Sequence, residues 1–517
     1  MSTRAIVGLI ATLLSLHLPL HAADARLDTP QGPLLGEARE DGVRVFKAIP
    51  YALPPVGVRR WQPPEPAPAW TALRDARAFA PQCVQPAYPE QSVFARPDRP
   101  QSEDCLYLNV WTTAEAGDDA PVLFWVHGGG LTRGTGATDA YDGGALARRG
   151  TVVVTINYRL GPFGYLSHPA LSEENADGVS GNQGFLDQAE ALRWVQANIE
   201  AFGGDPDRVT VFGESAGSRS VNALTVMPQT RGLLHGAIGQ SGGGFAPTQA
   251  LRETVHGIRP AEAWGEDLAA AVGAKDLAAF RAVPAHEILA AALELDMPMT
   301  TVVDGVVIPD QPAALFASGR QHDVPVIVGF NKDEGTSLSA PSMRPKDPAR
   351  FAAQVRARFG DAAPDFLALY PAATPEASWL DAFRDQRFGW EMVEWADAMA
   401  NVDAEAWMYY FTFHPSGPYA DALRAYHAGE IRYVFDNIDL NPAATDADRA
   451  VADLMSGYWA SFAADGDPNG PGLPSWEAWD ADAMNYLEFG NEVAPGEGLL
   501  REAEAFYDAL PRALMAR

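Results

Sequence analysis

Gly213-Glu214-Ser215-Ala216-Gly217 follows the apolar run Val209-Thr210-Val211-Phe212 and leads into residues 216–224, which can form a helix. A serine held at a sharp strand-to-helix corner, with glycines on either side to let the backbone fold tightly, is the arrangement that exposes a hydroxyl as a nucleophile. A serine is a poor nucleophile alone. It needs a base to take its proton and amide donors to receive the developing oxyanion.

The same pattern occurs a second time, as Gly239-Gln240-Ser241-Gly242-Gly243. Gly244 and then Pro247 follow it, and a run of three glycines near a proline cannot start a stable helix. Ser215 is therefore read as the nucleophile. Ser241 and the neighbouring Glu214 are read as supporting residues.

His127-Gly128-Gly129-Gly130 follows directly on Val122-Leu123-Phe124-Trp125-Val126. A glycine loop leaving the carboxyl end of a strand presents backbone N–H groups to an anion, and the Gly129 and Gly130 amides together with that of Ala216 are the expected oxyanion hole. His127 precedes both the serine and any acid, against the Ser, acid, His order of this architecture, so it is read as shaping the loop.

The base must be a histidine oriented by a carboxylate. The run Val326-Ile327-Val328-Gly329-Phe330 ends in Asn331-Lys332-Asp333-Glu334, which places two acids where the orienting group belongs. Downstream, His414 and His427 are both available. Position alone chooses neither between the two acids nor between the two histidines.

Short β-branched or aromatic runs (122–126, 152–156, 209–212, 326–328 and 407–411) alternate with longer stretches such as 184–202, whose apolar residues fall at helical spacing. Runs apolar at nearly every position suit strands buried on both faces. The pattern predicts an α/β fold with a mostly parallel central sheet flanked by helices. Residues 251–295 and 340–386 read as helical insertions over the catalytic face. The Pro-rich stretch 54–68 reads as a rigid surface excursion pinned by Trp61 and Trp70.

The chain has 517 residues, with 38 Lys and Arg against 67 Asp and Glu and a formal charge of −29. That charge repels nucleic acid and anionic membrane surfaces at long range, and argues against both as partners. Residues 1–22 read as an export signal, with a positively charged start, an apolar stretch too short for a membrane span and small residues at the cut. Residues 23–517 then form one catalytic domain. An exported chain whose only cysteines are Cys83 and Cys105 is expected to oxidise them to a bridge. No spacing suggests a metal site, and no cofactor is expected. The expected partner is a small-molecule ester.

Further stretches give a family likeness: Ala48-Ile49-Pro50-Tyr51-Ala52, Glu103-Asp104-Cys105-Leu106-Tyr107-Leu108-Asn109-Val110, Asn157-Tyr158-Arg159-Leu160-Gly161, Gly181-Asn182-Gln183-Gly184, residues 198–217, and Gly466-Asp467-Pro468-Asn469-Gly470. With these the chain resembles the type-B carboxylesterases, the cholinesterase-like branch of the α/β hydrolases, over most of its length. The resemblance implies the α/β-hydrolase fold, a triad of Ser215, Glu334 and His427, oxyanion donors at Gly129, Gly130 and Ala216, and the Cys83 to Cys105 bridge. It implies hydrolysis of carboxylic esters through an acyl-enzyme. In cholinesterases the loop closed by that bridge carries a tryptophan that binds the quaternary ammonium; here it offers Tyr88 and Phe94. With Leu131 after the glycines in place of an aromatic, this argues against choline esters.

Overall fold

The computed structural model describes residues 23–89, 92–96 and 99–515, so the expected export signal lies outside the described residues. The apolar runs form strands with the expected cores. In chain order the strands of the main sheet are β1 (Ala23–Thr29), β2 (Gly32–Ala38), β3 (Arg44–Pro50), β4 (Tyr107–Thr112), β5 (Ala120–Val126) and β6 (Val152–Ile156). They continue with β7 (Gly204–Glu214), β8 (Gly236–Gln240), β9 (Val326–Asn331), β10 (Ala406–Phe411), β11 (Tyr486–Phe489) and β12 (Val493–Gly496).

The strand order is β1-β2-β3-β4-β6-β5-β7-β8-β9-β10-β11-β12, with the short pair Arg74–Asp75 beside β2. From β6 to β11 every neighbour is parallel, while β1 to β4 and the final β12 pair antiparallel.

Successive side chains of a strand point to opposite faces, and here the two faces feed two separate cores. Val122, Phe124 and Val126 of β5 join Phe185, Ala189 and Leu192 on one side. Leu123 and Trp125 join Val451, Met455 and Trp459 on the other. The first set of partners lies on α1 (Gln183–Asn198) and the second on Asp446–Asp465. Every residue of β5, β6, β8 and β9 is buried, which is why β5, β6 and the start of β9 read as apolar runs.

The two expected insertions are helical: Ala261–Ala271, Leu277–Ala282 and Ala285–Glu294 in the first, Pro348–Phe359, Ala363–Leu369 and Pro375–Arg384 in the second. The second ends in a π-helical turn, Asp385–Gly389, that runs into the helix Trp390–Ala398. In the Pro-rich excursion Trp61 Nε1 donates to Pro162 O at 2.8 Å, and the following Trp70 Nε1 donates to Pro33 O at 3.1 Å.

Candidate active site

Strand β7 ends at Glu214 and the helix α2 (Ala216–Leu224) begins two residues later, so Ser215 alone makes the corner. Its φ of 58° and ψ of −119° lie where an L-residue is strained, at a cost of order 1–3 kcal/mol. Tight crossing of strand and helix imposes that conformation. A Cβ on Gly213 would sit 2.6 Å from the Gly217 carbonyl carbon, and one on Gly217 would collide with Val126 O. The corner is fixed by the Ser215 amide donating to Gln240 O at 2.8 Å and the Arg219 amide donating to Ser215 O at 3.0 Å. Glu214 and Ala216 are buried, whereas Ser215 is half-buried.

The second serine pentapeptide is the physical neighbour of the first. On the parallel strands β7 and β8, Gly213 pairs with Gly239 and Glu214 with Gln240, so Ser215 and Ser241 leave adjacent strand ends in the same register. Ser241 also has a positive φ, 55°. Its amide donates to Gly329 O at 2.8 Å and its side chain is fully buried.

His427 is brought to this corner and His414 is not. The His427 ring is buried and its Nδ1 lies 2.6 Å from Glu334 Oε2. Glu334 Oε1 accepts from the Asn331 amide at 2.8 Å, which locks the carboxylate at the end of β9. On the other edge of the ring, Nε2 lies 3.0 Å from Glu214 Oε1. A Cβ on Gly128 would be 2.7 Å from Glu214 Oε2 and 3.1 Å from Ser215 Cβ, so the carboxylate facing the imidazole also stands beside the serine. His414 is exposed just beyond β10. Asp333 is committed elsewhere, paired with Arg424 at 2.9 Å and accepting from the Ala425 amide at 3.2 Å.

Charge around the ring is dense. Burial pushes the imidazole down, but Glu214 and Glu334 outweigh it and raise it to about 9. Burial raises Glu214 to about 8, against the opposing charge of His427. A third carboxyl, Glu430, is fully buried behind them and accepts from Gln240 Nε2 at 3.0 Å and Asn331 Nδ2 at 2.5 Å. Burial, then the charge of Glu334, push it above the usual carboxylate range. Phe388 covers the ring, with centroids 4.9 Å apart, and Phe94 meets it edge-on at 6.5 Å. Glu430 and Phe388 escape a reading of the sequence, because only the fold brings their distant segments to the serine.

The glycine loop closes the site. Gly129 and Gly130 have φ of 110° and 67°, and the chain turns back through the Arg133 amide donating to Gly129 O at 3.0 Å. The amides of Gly129, Gly130 and Ala216 donate to no acceptor among the described residues. His127 stacks on Tyr158 with centroids 4.4 Å apart and its Nδ1 lies 2.9 Å from Gly128 O. Burial holds it neutral, at about 3. Cys83 and Cys105 are bridged, and the loop they close brings Tyr88 against Phe94 at 6.3 Å. Among the described residues no cluster of His, Cys, Asp and Glu could hold a metal ion.

A largely parallel sheet whose strand ends carry a strained serine, a buried histidine and a carboxylate defines an α/β hydrolase. Among solved structures the chain is similar to the Geobacillus stearothermophilus carboxylesterase EST55, with TM-score 0.81, 37% identity and coverage of 93% of this chain and 99% of that one. It is also similar to a PNB esterase, with TM-score 0.79, 33% identity and coverage of 93% and 99%. The model of the carboxylesterase family matches residues 23–364 and 370–506. Similar proteins include a fumonisin B1 esterase of Sphingopyxis macrogoltabida, 38% identical over 90% of this chain and 86% of that protein. Another is the para-nitrobenzyl esterase of Bacillus subtilis (strain 168), 35% identical over 88% and 92%. The chain belongs to the carboxylesterase family and is a carboxylic ester hydrolase.

Proposed function

We propose that the enzyme works through an acyl-enzyme on Ser215. His427 takes the Ser215 proton as Oγ attacks the ester carbonyl, and Glu334 fixes the imidazole tautomer and stabilises its charged form. The amides of Gly129, Gly130 and Ala216 receive the oxyanion. His427 then protonates the departing alkoxide and activates the water that releases the acid. The observation carrying this reading is one imidazole bonded to Glu334 at 2.6 Å and set against the residue before a strained serine. In the free protein Nε2 faces Glu214, and no hydrogen bond joins it to Ser215 Oγ. Such bonds tighten when substrate fills the site.

The unit that does this work spans residues 23–517 and follows an export signal over residues 1–22. Strands drawn from Ala23 to Gly496 in one sheet support the first statement, and the Cys83 to Cys105 bridge supports export. Among the described residues no helix is long and apolar enough to cross a membrane.

Assay of Ser215→Ala, His427→Ala, His414→Ala and Glu334→Gln on a short-chain aryl ester tests the assignment. Ser215→Ala and His427→Ala are expected to lose roughly 10⁴-fold or more in kcat, Glu334→Gln less, and His414→Ala nothing. Activity that survives in His427→Ala and disappears in His414→Ala would overturn the choice of base.

A further inference from the structure

A cavity of about 650 Å³ is walled by Arg219, Thr248, Arg387 and Glu391, with Arg259 and Trp264 also lining it. Two of its lining residues, Arg219 and Arg387, are tied by the backbone to residues of the proposed site. Arg219 stands one turn along α2 from Ser215, its amide bonded to Ser215 O at 3.0 Å. Arg387 precedes Phe388, whose ring covers His427 at 4.9 Å.

Both arginines are half-buried, and neither guanidinium makes a hydrogen bond or ion pair among the described residues, although Arg387 stands over the Phe383 ring at 5.7 Å. The carboxylate in this wall, Glu391, is already occupied: its oxygens accept from the Gly243 amide at 3.1 Å and the Ala246 amide at 3.3 Å. Asp296, also in the lining, is exposed, and Arg259 is paired with Asp267 at 2.6 Å. Burial and the charge of Arg219 both push Arg387 below the usual arginine range, with Glu391 opposing them. In a chain with 67 acidic and 38 basic side chains, two cations face one cavity with no ion pair to either among the described residues. Guanidinium forks match carboxylates in geometry as well as charge.

We propose that this cavity selects esters that also carry a free carboxylate, with Arg219 and Arg387 holding that group while the ester carbonyl reaches Ser215. This rests on the acyl-enzyme reading and names the substrate class for the same site.

The test compares phenyl hexanoate with two carboxylated partners of similar size: monophenyl adipate, charged on the acyl side, and 4-(hexanoyloxy)phenylacetate, charged on the alcohol side. The wild type is expected to show a higher kcat/KM on one charged ester than on phenyl hexanoate. That ratio should fall at least about tenfold in Arg219→Gln and in Arg387→Gln, less in the lysine variants, and shrink as salt is raised. Calorimetric binding of adipate to the Ser215→Ala protein gives a readout independent of turnover, weakened by either glutamine substitution. If neither charged ester is preferred, or if adipate fails to bind or binds the glutamine variants equally well, the inference is overturned even where every ester is cleaved. If adipate binds through the arginines while phenyl hexanoate stays intact, the esterase chemistry fails and the anion pocket stands.

Discussion

His427 Nε2 lies 3.0 Å from Oε1 of Glu214, the residue immediately before Ser215. The same ring bonds Glu334 through Nδ1 at 2.6 Å, so one imidazole is clamped between two carboxylates in a buried site. The arrangement favours the imidazolium, the form His427 takes in the proposed reaction once the serine has given up its proton. Under that proposal it stabilises the charged steps of the reaction and leaves less of the ring neutral, and so able to accept a proton, in the resting enzyme.

The pH dependence follows from that cost. A base works only when neutral, and the carboxylates raise His427 to about 9 in spite of burial, so it is protonated at lower pH. The acid limb of kcat/KM on an uncharged ester should therefore have its midpoint above the ordinary histidine value of about 6.5, with activity gained as pH rises. Glu214→Gln removes the charge that raises the ring most and should move the midpoint down by about one unit or more. An unchanged midpoint in that variant would show that Glu214 does not set the basicity.

The glycine loop makes unequal demands at its two proposed oxyanion donors. Gly129 has φ of 110° and a Cβ there would run into Arg133 O, whereas at Gly130, with φ of 67°, the nearest atom is Thr132 Oγ1 at 3.7 Å. Gly129→Ala should displace the loop and lose roughly 10²–10³-fold in kcat, the scale of losing an oxyanion donor. Gly130→Ala keeps its amide in place and should lose less than about tenfold. Kinetics on both variants, with thermal unfolding as a control for folding, check the contrast.

The Cys83 to Cys105 bridge spans 22 residues, and chain-entropy reasoning assigns it about 3 kcal/mol. Cys83→Ser/Cys105→Ser should lower the unfolding temperature by about 3 °C, given the entropy of unfolding of a chain this size. The bridged loop also carries Phe94 to the edge of the His427 ring, so KM should rise in the same variant. Calorimetry and steady-state kinetics read the two effects separately.

The sequence displayed the parts whose chemistry is local. Ser215 could be told from Ser241 because residues 216–224 can be helical and a run of glycines cannot, and the structure places only the first at a strand-to-helix corner. The strand cores were legible because burial on both faces leaves no polar alternation. Strand β8 was not: Gly236-Ala237-Ile238-Gly239-Gln240 has weak strand composition, and Gly239 is required because a Cβ would stand 2.6 Å from the Trp395 ring. The antiparallel strands β1 to β3 were also missed, since mixed segments such as Ala23–Thr29 carry no continuous apolar run.

Position left His414 and His427 equal, because chain order says nothing about which one a loop turns inward. The resemblance named His427, and the geometry that supports this choice is not local: its ring is buried on Glu334, while Asp333 is taken by Arg424. The contact between Gln240 and Glu430 joins residues 190 apart, and no local pattern encodes it.

The most direct measurement is active-site labelling with a fluorophosphonate, which reacts only with a serine activated by its base. One adduct per molecule is expected, mapped by peptide mass spectrometry to Ser215 and lost in His427→Ala but retained in His414→Ala. An adduct on Ser241, or labelling of Ser215 that persists without His427, would contradict the assignment of Ser215 and His427.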